Sequence, residues 1–279
     1  MQTDIHTSAN SDPKLTLLAA IDIPRQPLMR RARVWIIWGV VIALLAWSWG
    51  PAEMWRAIGL FTDYQNMATF SEGFLNPSFR YWEMYANEMI VTIQIAAWGT
   101  ALAVLFGVPF AILASANICP PWIVQPVRRL MDILRATPEI VLALMFVVSV
   151  GLGPIAGVLA LAVHNIGIIA KLFSEAVEAI DPRPVEGIRA TGASRLQEVI
   201  FGVIPQVMPL WSSFTLYRFE TNVRSATVLG VIGAGGIGQP LFETMRGFQY
   251  SEAATIVLII VGAVIIIDIV SAQLRKMLV

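Results

Sequence analysis

The stretch Thr227–Gly238, TVLGVIGAGGIG, admits two readings, and each leads to a different fold. Gly233, Gly235 and Gly238 match G-x-G-x-x-G letter for letter, with Gly236 between them, after a run of β-friendly apolar residues. Inside a soluble βαβ unit that pattern is a strand, a tight turn and a helix N-terminus that holds a dinucleotide pyrophosphate. At the end of a membrane-spanning helix the same letters are glycines that let the chain leave the helix and turn closely against its neighbours. The surroundings must decide.

Of the 279 residues 57% are hydrophobic and only 14% charged, and the formal net charge is zero. A soluble domain carries about 25% charged residues. This deficit, with a mean hydropathy of +0.69, points to a surface that faces lipid. A single cysteine, Cys119, excludes an intrachain disulfide framework, and two histidines far apart, His6 and His164, offer no metal site. No nucleic-acid partner is expected. The first 29 residues are polar and irregular, and no A-x-A-like site follows the first apolar run, so no secretory signal is expected.

A spanning helix needs about 20 mainly apolar residues. Six candidates follow: Val34–Gly50, Glu88–Ser115, Pro138–Gly151, Gly153–Phe173, Val207–Ala234 and Ala253–Val270. The third is short, and the tight VGLGPIAG turn makes it a hairpin with the fourth. Placing the N-terminus inside puts 14 of the 19 lysines and arginines on one face and three (Arg56, Arg80, Arg246) on the other, with Arg218 and Arg224 inside the fifth span. The positive-inside bias then makes both termini cytoplasmic. Residues 1–33 form a cytoplasmic segment. Residues 34–87 supply the first span and an external interfacial stretch with Trp55, Tyr81, Trp82 and Tyr85, read as a membrane-surface helix. Residues 88–279 are the transmembrane core. Gly99, Ala103 and Gly107 recur every four residues in the second span, either the small-xxx-small device for close helix contact or chance in a helix rich in small residues.

In this setting Gly233–Gly238 lies at the outer end of a span, with no βαβ repeat around it and no acid-terminated strand about 20 residues on. The dinucleotide fingerprint is a false positive, and the glycines are read as an outer-face turn. An integral membrane oxidoreductase stays as the rival from the enzyme class, and a secondary transporter as a third, disfavoured by the absence of internal repeats.

The longest internal cytoplasmic connection, within residues 174–205, is organised. Asp181-Pro182 offers an N-cap with proline at the first helical position, for a short helix running to about Ala190 and stopping near Gly192. Ser194-Arg-Leu-Gln197 reads as a capping box opening a second helix up to Pro205 and the membrane. Glu186-Gly-Ile-Arg-Ala-Thr-Gly192, nine residues, then Gly202-Val-Ile-Pro205 resembles the EAA loop of ABC-importer permeases, E-A-A-x-x-x-G, nine residues, I-x-L-P. Glu186, Gly192 and Pro205 match, Gly187 keeps the second position small, and Ile188 and Gly202 depart from the pattern. Four blocks in order, ATPEIVLALMFVVSVGLGPIAGVLAL, EGIRATGASRLQEVIFGVIPQVMP, LYRFETNVRSATVLGVIGAGGIG and LRKMLV, resemble the phosphonate-importer permeases over nearly all of Thr92–Lys276.

The resemblance implies an all-α, six-helix, MetI-like permease of the cell inner membrane, paired with a second copy. A cytoplasmic ABC ATPase dimer would grip the short helix through Pro184, Glu186, Gly187, Arg189, Ala190, Thr191 and Gly192. A periplasmic phosphonate-binding protein would deliver a phosphonate or a related phosphorus oxyanion such as phosphite or phosphate. No cofactor is expected: the chain has no G-x-x-x-x-G-K-[ST], so ATP belongs to the partner.

Arg218, Glu220, Asn222 and Arg224 sit near the middle of the fifth span, where charge is expensive and marks function by default. Glu220 and Arg224 lie four apart and can pair, whereas Arg218 shares a face with Asn222 and lacks a partner on its own helix. Two readings stay open. Either these are a structural ion pair plus an arginine satisfied by carbonyls or another helix, or Arg218, with Asn222 and Arg224, offers a guanidinium fork to an oxyanion. His164-Asn165 is read first as a helix–helix hydrogen bond, and Asp268 as a snorkelling or capping residue.

Overall fold

The computed structural model describes residues 28–59 and 64–278, and among these every regular element is helical. The expected cytoplasmic segment 1–33 falls, as far as residue 27, outside the described residues. The chain gathers into two compact units, one up to Met67 and one from Ala68. In the first, α1 (Leu28–Ser48) exposes Trp35, Trp38 and Trp47 along an apolar surface, and a 3-10 turn (Met54–Ile58) follows, with Arg56 paired to Glu53 at 2.7 Å.

The second unit opens within α2 (Tyr64–Leu75) and continues through a 3-10 turn (Phe79–Tyr81) directly into α3 (Trp82–Ala114). The second span therefore starts earlier than Glu88. Tyr81 and Trp82 are exposed as an interfacial position requires, but Tyr85 is only 2% exposed and its hydroxyl donates to Glu252 at 3.0 Å. Tyr85 is a core residue rather than an interfacial one, because one helical turn carries it from the outer rim onto the face that packs.

After α3 come α4 (Pro121–Ala136), α5 (Glu139–Val150) and α6 (Pro154–Glu178). The sequence reading missed α4, whose two faces differ too sharply to register as a span. α4 and α5 meet at an 85° bend. Proline disfavours helical geometry in the residue before it, and Thr137, ahead of Pro138, is extended with φ −80° and ψ 119°. At 1.5 Å per residue α5 is about 18 Å long, well short of a ~30 Å hydrocarbon layer. The third span is thus one arm of a broken pair. Its other end does form the expected hairpin: Gly151 and Gly153 take φ of +94° and +134°, and α6 departs from Pro154.

The core is built on α3 against α6. A Cβ on Gly99 would lie 2.8 Å from Leu161 Cβ, one on Gly107 3.0 Å from Ile169 Cγ2, and Ala103 between them is fully buried. The four-residue spacing is therefore a packing seam, which in lipid replaces a hydrophobic driving force with close backbone approach.

Beyond α6 come α7 (Pro182–Ala190), the single turn α8 (Arg195–Gln197), a π-helical segment (Glu198–Val203) and α9 (Ile204–Gly230). Pro205 does not end a helix. It occupies the first turn of α9, where its missing N–H is harmless, and the preceding turn widens so that Ile204 N donates to Val199 O five residues back. Arg195–Gly230 becomes one 36-residue helical run, about 54 Å long, more than a bilayer core needs.

The Thr227–Gly238 question closes here. α9 runs as helix through Thr227 to Gly230, a turn follows, and α10 (Gly238–Arg246) and α11 (Tyr250–Leu278) complete the chain. Gly233, Gly235 and Gly236 take φ between +80° and +87°. Gly233 O accepts from Gly153 N at 2.9 Å, a Cβ on Gly235 would lie 2.9 Å from Pro154 N, and Ile237 N donates to Thr92 Oγ1 at 2.9 Å. Where the nucleotide fingerprint needs an open cradle, protein backbone already fills the space.

Among the described residues four helices are long and apolar enough to cross a membrane, Phe79–Ala114, Pro154–Glu178, Arg195–Gly230 and Tyr250–Met277, and the bent pair adds a fifth when counted as one span. The α3–α6 seam gives a direct test. Gly99→Ala should lower the stability of the detergent-solubilised protein by about 1–3 kcal/mol, read as a lower thermal midpoint. Gly262→Ala, with nothing within 4 Å of the added carbon, should leave the midpoint unchanged or slightly raised.

Candidate functional site

Two regions carry the sequence-derived candidates. The first is α7. Asp181 Oδ1 accepts from Arg183 N at 3.0 Å, Pro182 starts the helix, and Gly192 at φ +82° ends it, as the cap pattern requires. Ser194 N donates to Gln197 Oε1 at 2.8 Å to open the next turn. Arg189 folds α7 back on the π segment with a fork to Glu198, Nε at 3.0 Å and Nη2 at 2.8 Å. That carboxylate holds the guanidinium pKa above its ordinary value.

The inner face of α7 is apolar. A Cβ on Gly202 would lie 3.2 Å from Val185 Cα and 3.3 Å from Ile188 Cδ1. The two departures from the EAA pattern therefore compensate: Ile188 is larger than the family's alanine, and Gly202 is smaller than its isoleucine. Pro184, Glu186, Gly187, Arg189, Ala190, Thr191 and Gly192 are all exposed, and nothing lies within 4 Å of a carbon added at Gly187. A cavity of about 800 Å³ opens beside this helix, between Asn117, Glu178, Glu186 and Arg195.

The second region lies midway along α9. Arg218 has its partner on α6: Nε and Nη2 both donate to Asn165 Oδ1, the former at 2.9 Å. Asn165, fully buried, donates to Asn222 Oδ1 at 2.9 Å and to Leu161 O at 2.7 Å, and Asn222 donates to Thr100 Oγ1 at 2.8 Å. One polar chain thus joins α3, α6 and α9. Asn222 is consumed within it, while the remaining N–H groups of Arg218 make no hydrogen bond among the described residues.

Glu220 and Arg224 do pair, at 3.2 Å, and the pair is the middle of a longer chain of charges. Arg275 reaches Glu220 at 3.0 Å and Arg224 reaches Asp268 at 3.1 Å. Asp268 is therefore an ion-pair partner, not a snorkelling or capping group, since the antiparallel α11 brings it level with Arg224. These four charges cancel and tie α11 to α9.

Sequence reasoning missed Glu139. Its Oε1 accepts from Ser225 Oγ at 2.6 Å, and its Oε2 lies 3.5 Å from His164 Nε2. His164 also meets Thr137 O, in the link between α4 and α5, through Nδ1 at 3.0 Å, and the helix–helix hydrogen bond expected at His164-Asn165 is made by Asn165, which reaches Asn222 on α9. The available signal was an acid just inside an apolar run.

This chain of charges predicts a particular failure. Glu220→Gln leaves Arg275 without its carboxylate while Arg224 keeps Asp268, and because the Glu220–Arg275 pair is part-buried the loss is a fraction of the ~3–5 kcal/mol that breaking a fully buried pair costs. Membrane abundance should fall, and neutralising Arg275 as well should restore more of it than neutralising Arg224. Quantitative blotting of membrane fractions reads the difference.

Residues 107–279 match the family model described as binding-protein-dependent transport system inner membrane component. Over 245 residues the chain is 38% identical to the phosphite transport system permease protein PtxC of Stutzerimonas stutzeri, covering 88% of each chain. It is 58% identical over 118 residues to the putative cryptic phosphonate transport system permease protein PhnE2 of Escherichia coli K12, covering 42% of this chain and 97% of that one. In fold it is similar to a chain of the MetNI methionine ABC transporter in an inward-facing conformation, with TM-score 0.64 and 21% identity over 72% of this chain and 99% of that one. The packing seam, the capped helix α7 and the polar chain of α9 are accordingly parts of a transport subunit rather than of an enzyme: this chain belongs to the inner membrane components of binding-protein-dependent transport systems, with a MetI-like ABC permease fold.

Proposed function

We propose that the chain is the transmembrane permease subunit of an ABC importer that moves phosphonate, or the related phosphite or phosphate, across the cell inner membrane. The observation that carries the substrate class is Arg218: a guanidinium mid-span, oriented by Asn165 and with donors left over. An arginine in that place costs about 2.5–3.5 kcal/mol, and its fork matches two oxygens of a phosphorus oxyanion. The names of the relatives, phosphite and phosphonate permeases, agree with it.

In this reading α1, α3, the broken α4–α5 pair, α6, α9 and α11 make six spans with both termini cytoplasmic. Two copies pair around one path. An ATPase dimer, which binds the ATP, grips the exposed face of α7, and a periplasmic phosphonate-binding protein docks on the outer side. Closure of the ATPases reaches the path mechanically, because α7 is clamped by Arg189–Glu198 to the run that carries Arg218.

Arg218→Met should abolish uptake while the protein stays at normal level in the membrane, and Arg218→Lys should lower uptake more than tenfold because a point charge replaces a fork. Normal transport by Arg218→Met would remove the site assignment. At the coupling surface, Gly192→Asp places a side chain at φ +82°, and should leave insertion intact while uptake and ATPase pull-down are lost. Cysteines substituted for Arg189 and Arg80 should be labelled from the cytoplasm and from outside respectively; external labelling at position 189 would overturn the topology.

A further inference from the structure

Resting on the reading of Arg218 as a path residue, we infer that His164 and Glu139 together hold a proton, and that this proton sets the charge an arriving oxyanion meets at Arg218. The tautomer of His164 is fixed by geometry. A backbone carbonyl only accepts, so Nδ1, 3.0 Å from Thr137 O, carries hydrogen. Nε2 is then the nitrogen that titrates, and it faces Glu139 Oε2 at 3.5 Å, an ion-pair distance. The other oxygen, Oε1, is occupied by the Ser225 hydroxyl at 2.6 Å. A proton taken up here is therefore shared between an imidazole and a carboxylate, both largely withdrawn from solvent, with side-chain exposures of 13% and 29%.

Neighbouring charges leave this pair facing Arg218. Ser225 stands two turns from Arg218 on the same face of α9, His164 adjoins Asn165, and Glu139 is the carboxylate whose field reaches the Arg218 guanidinium. Other charges are neutralised locally. On α9 and α11, Glu220, Arg224, Asp268 and Arg275 pair among themselves. On α6, Lys171 pairs with Glu175 at 3.5 Å, and at the end of α4 Arg135 pairs with Asp132 at 3.0 Å. α3 presents no titratable residue between Thr92 and Ala114.

With the proton in place the trio Arg218, Glu139 and His164 carries one net positive charge; without it, none. An oxyanion arriving at the unprotonated trio leaves a net negative charge in a low-dielectric interior, whereas the proton cancels one such charge. Oxyanion binding therefore favours proton uptake by the pair, and by linkage the proton favours the oxyanion. Histidine is the side chain whose charge changes near neutral pH. Transport is accordingly supported as pH falls through the titration of the pair and weakened as pH rises through it.

The test uses the full complex of permease, ATPase and binding protein in proteoliposomes, with uptake of radiolabelled phosphite and methylphosphonate measured across pH. Taking each variant as a ratio to wild type cancels the titration of substrate and partner proteins. His164→Asn keeps an N–H where Nδ1 donates to Thr137 O but removes the titrating nitrogen. Its ratio should be about fivefold below one near pH 5.5 and approach one near pH 8.5. Glu139→Gln keeps the acceptor for Ser225, removes one negative charge and offers Nε2 an amide N–H in place of a carboxylate, which disfavours the imidazolium and leaves the trio at one net positive charge without the proton. Its ratio should rise from near one to about fivefold over the same range. Ratios that do not change with pH overturn the inference, and Glu139→Gln decides alone where His164→Asn fails to reach the membrane. Arg218→Met separates the two readings. If it is inactive while the ratios stay flat, only the proton is wrong; if it transports normally, the path assignment beneath it fails.

Discussion

Asn165 sits at zero exposure in the middle of α6, and its one amide serves three helices. Its NH2 group donates to its own helix and to Asn222, and its oxygen takes Arg218, so the amide itself joins α6 to α9, and the third helix, α3, is reached through Asn222, which passes the chain on to Thr100. An unsatisfied polar group in hydrocarbon costs several kcal/mol, so these bonds fix both the rotation and the vertical register of α9 against α6. Sliding α9 by one residue would turn Asn222 and Arg218 away together. The small-residue seam of α3 brings the backbones close enough for this to happen, since Thr100 can reach Asn222 only because Gly99 and Ala103 let α3 press against α6. Close packing and polar satisfaction are thus one constraint, and the placement of the central guanidinium follows from it.

A second constraint acts along the length of α9. The helical run from Arg195 exceeds the membrane's need, and its surplus projects beyond the spanning part as the platform on which α7 rests. The π segment absorbs the misfit that Pro205 introduces without ending the run. A displacement of α7 is therefore delivered along a continuous helix rather than through a loop.

Much of this was legible in the sequence because its signals are local. Asp181-Pro182, Gly192 and Ser194–Gln197 each act within one turn, so α7 was bounded correctly; the apolar lengths of α6 and α11 and the Gly99–Gly107 spacing likewise depend only on chain-neighbour periodicity. What escaped depended on partners distant in sequence. Nothing near Asp268 announces Arg224, 44 positions away, and nothing near Tyr85 announces Glu252. α4 escaped because one of its faces is too polar for a hydropathy window, and the continuity of α9 because proline ordinarily signals a boundary. Glu139 lay in view at the head of a short apolar run, but its meaning depends on an 85° bend that places it among side chains of α6 and α9.

The reciprocal sizes of Ile188 and Gly202 have a consequence for modularity. A helix that meets its support through a bulky side chain in a glycine notch is keyed to that support, and neither half is interchangeable alone. Moving 181–192 into a permease that keeps a large residue at the position of Gly202 would bring Ile188 against a filled notch; moving the reverse would leave a void under a small residue. The transplantable unit is the helix together with its seat, 181–205. Sequence drift at either position is thereby bound to the other, and a chimera joined between them would unseat α7 while every span and every charge remained in place.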